Sequence, residues 1–143
     1  MIRRDLGNTS ISLVNQLNIN DFSSCGSISN ASYTKGVCTV LFYIPNSKPC
    51  NDFIQEYNRF AENYAYNSNI NPLSIDLGNG MNNRLISMSK NFPFNLLDFP
   101  TIIIYYDGSP CSAYMGRLTS QDLYAFASKV VDDKTCFKFA PCT

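Results

Sequence analysis

The near-continuous apolar run at residues 37–45, VCTVLFYIP, constrains this chain more than any other stretch. A half-buried strand alternates apolar and polar side chains. This one offers almost no polar face, so it is expected to lie at the centre of a sheet covered by helices on both sides. Pro45 closes it. Ser47 then has the side chain of a helix N-cap, and Pro49 is tolerated in a first helical turn. From there Phe53, Ile54, Tyr57, Phe60, Ala61 and Tyr64 recur at helical spacing, giving one apolar face over about three turns.

The remaining elements follow from local pattern. ISLVNQLNI has the β-branched and apolar content of a strand, and Asn20-Asp21 offers a helix start after it. SSCGSISNASYTKG is small and polar and reads as a loop or a frayed helix end. It holds the sequon Asn30-Ala31-Ser32, taken as a coincidence of composition. NSNINP reads as a turn, LSIDL at residues 73–77 as a short strand, and NGMNNRLISMSKNF as a short helix with Leu85, Ile86 and Met88 inward. In FPTIIIYYDGSPCSAYMG two β-rich runs flank Asp107-Gly108, a strong hairpin signal. TSQDLYAFASKVV carries Thr119 and Asp122 at capping-box spacing and buries Leu123, Phe126, Ala127, Val130 and Val131. Strands alternating with helices imply parallel pairing, and the closing hairpin adds antiparallel pairing. The expected fold is α/β: a central mixed sheet, helices on both faces, a closing β-hairpin and a C-terminal helix.

Composition limits the function classes. At 143 residues the chain has the length of one domain, and 45% hydrophobic content suffices for one core. Formal net charge is zero and no Lys/Arg run occurs, so neither nucleic acid nor an anionic membrane is an expected partner. No segment approaches the roughly 20 apolar residues of a membrane span, and no apolar run follows the N-terminal arginines as in a secretory signal. There is no histidine, which removes the usual general base and the commonest metal ligand. The six cysteines (Cys25, Cys38, Cys50, Cys111, Cys136, Cys142) include no Cys-x-x-Cys, and no metal site or cofactor is expected. Seventeen asparagines point to an AT-rich genome, such as that of a protist or a large DNA virus.

Three motifs, VLFYIPNSKPC, FPTIIIYYDGSPCSAYMG and LTSQDLYAFASKV, come in an order and at spacings that resemble the thioredoxin and protein disulfide isomerase family. The resemblance covers residues 12–132, with a leader at 1–11 and a cysteine-containing tail at 133–143. It implies a thioredoxin-like fold and a peptide-binding groove beside a cis-proline. On this resemblance Pro100 matches the cis-proline and Phe99 the residue before it. Cys50 matches the second, recessed active-site cysteine and Ser47 the first, exposed one. Asn46 stands where the family has Trp, and Leu41 where it has a buried acid.

These departures bear directly on the chemistry. The family's first thiol attacks as a thiolate, and the second resolves the mixed disulfide. A serine hydroxyl cannot begin that sequence without a base to take its proton. Cys50 alone, recessed and without its acid, is expected to react slowly. The expectation is a redox-inactive protein that binds an extended peptide or protein around Asn46, Ser47, Phe99 and Pro100. It would serve as a binding or assembly component in the cytoplasm or inside a virus particle, with its oligomeric state open. The alternative is a monothiol disulfide isomerase or reductase with Cys50 as its catalytic residue. Cys136 and Cys142 enclose five residues and could close a disulfide in an oxidising setting, or one of them could pair with Cys25. A Cys38–Cys111 bridge at the far end of the sheet is a further possibility.

Overall fold

The computed structural model describes residues 13–65, 69–133 and 136. Five strands form one sheet: β1 (Asn15–Gln16), β2 (Val37–Tyr43), β3 (Ile70–Asp76), β4 (Thr101–Tyr106) and β5 (Ser109–Ala113). Their spatial order is β1-β3-β2-β4-β5. β1 and β2 both run parallel to β3, whereas β4 is antiparallel to β2 and β5 to β4. The apolar run is thus central: β2 pairs along its full length with β3 and is buried from Val37 to Phe42.

The helices are α1 (Lys48–Phe60), α2 (Arg84–Met88) and α3 (Ser120–Asp133), and α1 widens into a single π-type turn at Ala61–Ala65. α1 and α3 cover one face of the sheet. There Phe53, Tyr57 and Phe60 of α1 and Leu123, Ala127 and Val130 of α3 pack with Leu41, Ile102 and Ile104. On the other face Leu85 of α2, Phe92, Phe94 and Leu96 pack with Val40, Phe42, Ile103 and Tyr105. The alternation along β2 sends Leu41 to the first core and Val40 and Phe42 to the second. This is the mixed α/β fold, with helices on both faces of the sheet, that the pattern of apolar runs predicts.

Two local expectations fail. No helix follows β1: Asn18 instead caps a three-residue 3-10 turn, Ile19–Asp21, through a reciprocal capping box with Asp21. Asn18 and Asp21 satisfy the turn's donors, but the following residues up to β2 offer no helical stripe to bury, and a helix needs one more than it needs a cap. Strand β3 begins at Ile70, inside the stretch read as a turn, because Val37 to Thr39 of β2 give Ile70 to Pro72 backbone partners. The hairpin forms as read, with both turn residues at positive φ (Asp107 49°, Gly108 85°). Asp107 Oδ1 also accepts the Gly36 amide at 2.7 Å, tying the turn to the start of β2.

The cysteine pairing also differs from expectation. Cys136 is bonded to Cys111 of β5, not to Cys142, which lies outside the described residues. The reason is placement. Cys111 points into the core beneath α3, and Cys136 follows the end of that helix, so the two meet when α3 docks. Cys38 belongs to the opposite core, which rules out a Cys38–Cys111 bridge. Cys25 is disulfide-bonded as well, whereas Cys38 and Cys50 are free and buried. Among the described residues no helix is long and apolar enough to cross a membrane.

Candidate functional site

The C-terminal end of β2 delivers the chain to one end of the sheet. The Tyr43 carbonyl accepts the Leu77 amide at 2.8 Å, which ties the exits of β2 and β3 together. Asn46 then takes a positive φ of 66°, a region that Asn tolerates better than bulky residues do. Ser47 is extended (φ −98°, ψ 123°) and caps α1: its Oγ accepts the Cys50 amide at 3.5 Å, and its carbonyl accepts the Asn51 amide at 2.9 Å. Pro49 sits in the first turn, where its missing N–H costs nothing. The Lys48–Asp52 ion pair beside it is exposed and contributes little.

Cys50 is completely inaccessible to solvent. Asn46 is exposed and Ser47 half-buried, so the partly accessible side chain at the mouth of the helix carries a hydroxyl and not a thiol. Leu41, with no ionisable group, fills the core beneath α1. A cavity of about 210 Å³ lies beside it, lined by Gln16, Tyr43, Ile54, Asn58 and Ser74 among others. Burial, the largest effect, raises the Tyr43 phenol. A hydrogen bond from Gln16 lowers it, and the neighbouring Asp76 and Cys50 raise it further.

The Phe99–Pro100 peptide bond is cis. The β2–β4 register sets Thr101 opposite Phe42, so Pro100 lies at the sheet end where β2 releases the turn to Ser47. Phe99 and Pro100 are both half-exposed, and Phe99 rests on the Phe42 side of the core. The fold therefore brings Asn46, Ser47, Cys50, Phe99 and Pro100 to one end of the sheet.

The same end carries residues that sequence reasoning missed. Leu97 (74% exposed) precedes β4, Met115 (87%) and Leu118 follow β5, and Met81 follows β3. The Tyr114 amide donates to the Ile102 carbonyl at 2.9 Å, continuing the β5 ladder so that Met115 emerges beside the start of β4. Apolar residues in segments with no strand or helix period were the available signal. Among the described residues no cluster of three metal-ligating side chains occurs.

Parallel β1, β3 and β2, the antiparallel β4–β5 hairpin, the cis-proline and the helix launched from the central strand define a thioredoxin-like fold. Comparison with solved structures agrees. The first thioredoxin domain of mouse protein disulfide-isomerase A4 superposes with a TM-score of 0.66 at 22% identity, over 94% of this chain and 87% of that one. The J-Trx1 fragment of ERdj5 gives 0.63 at 18%, over 84% of this chain and 52% of that one. Zinc-bound human ERp44 gives 0.62 at 12%, over 81% of this chain and 30% of that one. The chain thus spans about half the length of the ERdj5 fragment and less than a third of ERp44. At such identities the likeness establishes the fold. No protein-family model and no curated protein matches the sequence.

Proposed function

We propose that this thioredoxin-like protein binds an extended protein segment without exchanging electrons with it, and that Ser47 stands where catalytic relatives carry the attacking cysteine. The observation that carries this reading is the pairing at the head of α1: the partly exposed residue there, Ser47, carries a hydroxyl, and the neighbouring thiol, Cys50, has no exposed surface. A disulfide substrate reaching the site meets oxygen, not sulfur. No histidine exists anywhere in the chain to activate that oxygen. Around it, Leu97, Phe99, Pro100 and Met115 offer apolar surface to a passing peptide. Methionine and leucine side chains suit such contacts because they repack around different partners. We assign the protein to a binding or assembly role. The asparagine-rich composition supports a source with an AT-rich genome, such as a large DNA virus, where it would act as a particle component.

The competing enzyme, a monothiol oxidoreductase working through Cys50, is separated from this reading by turnover. In insulin reduction with dithiothreitol the protein is expected to give the uncatalysed rate. Ser47→Cys creates a Cys-x-x-Cys and is expected to accelerate the reaction. A wild-type rate that is above background and lost in Cys50→Ala would overturn the binding reading.

A further inference from the structure

We propose that Asn79 is a site of spontaneous covalent modification: it deamidates through attack by the Gly80 amide nitrogen and places a new carboxylate at the rim of the candidate site. The loop after β3 contains the sole Asn-Gly pair of the chain. Both residues are exposed. The other two asparagines of this loop are committed. Asn82 Oδ1 accepts the Ile19 amide at 2.9 Å and its Nδ2 donates to the Asp76 carbonyl, while Asn83 Nδ2 donates to the Leu77 carbonyl at 2.9 Å. The Asn79 side chain, by contrast, makes no hydrogen bond to any described residue, and the Gly80 amide donates to none.

The electrophile and the nucleophile are thus both unengaged and next to each other. Gly80 has no side chain to shield its nitrogen, and a Cβ added there would meet nothing within 4 Å. The nitrogen loses its proton to water and bonds to Asn79 Cγ. The Cγ–Nδ2 bond breaks, and ammonia leaves with a proton, giving a five-membered succinimide. Water then adds to either ring carbonyl and opens it to aspartate or isoaspartate. No electrons change hands, and water is the one co-reactant.

The placement gives the change a consequence. Gly78 packs so tightly on Pro45 that an added Cβ would come within 2.5 Å of the proline ring, so this loop leans on the turn that leads to Ser47. The Asn83 amide donates to the Asn79 carbonyl at 2.9 Å. Isoaspartate lengthens the backbone inside that turn, next to exposed Met81. The net charge moves from zero to −1 at an apolar rim. Weaker binding of apolar partners would follow, a consequence that rests on the function proposed above, whereas the chemistry does not.

The full folded chain, incubated in mildly alkaline buffer, should gain about one dalton in the peptide containing Asn79. An isoaspartyl methyltransferase should label that peptide. The other asparagine peptides should lag behind it. Asn79→Gln should abolish the gain, and Gly80→Ala should slow it strongly, because the alanine methyl hinders attack by its own amide nitrogen. The open space around Gly80 and its ordinary φ let the alanine variant fold, which thermal melting checks. An unmodified Asn79 peptide, or an equal rate in folded Gly80→Ala, overturns the proposal. Binding of a thiol-blocked apolar peptide before and after incubation is a separate readout. Deamidation without any change in binding would count against the binding reading while leaving the modification standing.

Discussion

At the scale of single residues, burial decides the chemistry of sulfur in this protein. Cys38 lies in β2 with 1% of its surface exposed, and its thiol hydrogen is directed at the Tyr33 carbonyl, 3.6 Å away. Burial pushes this thiol from its ordinary 9.0 up to about 11. In the unfolded chain it ionises first, so stability is full below about pH 9 and declines as the pH rises towards 11. The urea midpoint of the wild type is therefore expected to fall over that window more steeply than that of Cys38→Ala. Equal slopes would show that the thiol is not held neutral by the fold. Tyr57 and Tyr105, both buried and raised by the same cause, leave a residual alkaline decline in either protein. Ser47 works at this scale too. Its cap is legible in the sequence because Ser before a proline-containing first turn has a local meaning. The recessed place of Cys50 follows in the sequence only from the resemblance that VLFYIPNSKPC carries, because its complete inaccessibility depends on every element that packs around the start of α1.

At the scale of elements, two devices fasten helices to the sheet. The Tyr57 hydroxyl of α1 reaches across the core, donating to the Leu73 carbonyl of β3 at 2.6 Å, with Thr39 Oγ1 of β2 at 2.7 Å. Tyr57→Phe keeps the ring but strands these buried partners, so a loss of about 1–3 kcal/mol in denaturant unfolding is expected. A change within measurement error would mean that water replaces the hydroxyl. The second device is the Cys111–Cys136 link, which closes a loop of 25 residues around α3. Cys136→Ser leaves the Cys111 thiol in its core position and removes the cross-link alone. It is expected to cost about 3 kcal/mol of stability under oxidising conditions. If the variant and the oxidised wild type unfold at the same midpoint, the link adds nothing to the fold. The apolar faces of α1 and α3 were readable from their period, since every helical turn repeats the same demand for burial. The partner of Cys136 was not readable, because five residues of separation favour Cys142 in sequence while the docking of α3 brings Cys111 closer in space.

At the scale of the whole molecule, the loops at one end of the sheet lie together. The turn to Ser47, the Asn79 loop, the approach to Pro100 and the segment after β5 come from distant parts of the chain, and the strand order gathers them. Their exposed apolar side chains touch little of the fold, so Leu97→Asp with Met115→Asp should leave thermal stability almost unchanged. The same double variant is expected to weaken binding of a thiol-blocked, extended apolar peptide, measured by fluorescence anisotropy. Undiminished affinity would move the binding surface elsewhere.

The sequence by itself determined the central strand, the amphipathic faces of α1 and α3, the hairpin turn and the absence of a thiol at residue 47. Each of these is settled within a few neighbouring positions by side-chain chemistry and period. Tertiary structure alone decided the irregular segment between β1 and β2, the partner of Cys136 and the gathering of Leu97 and Met115 beside Pro100 at one rim. Those depend on which distant segments come to share a face of the sheet, and proximity of that kind arises only when the two cores are packed.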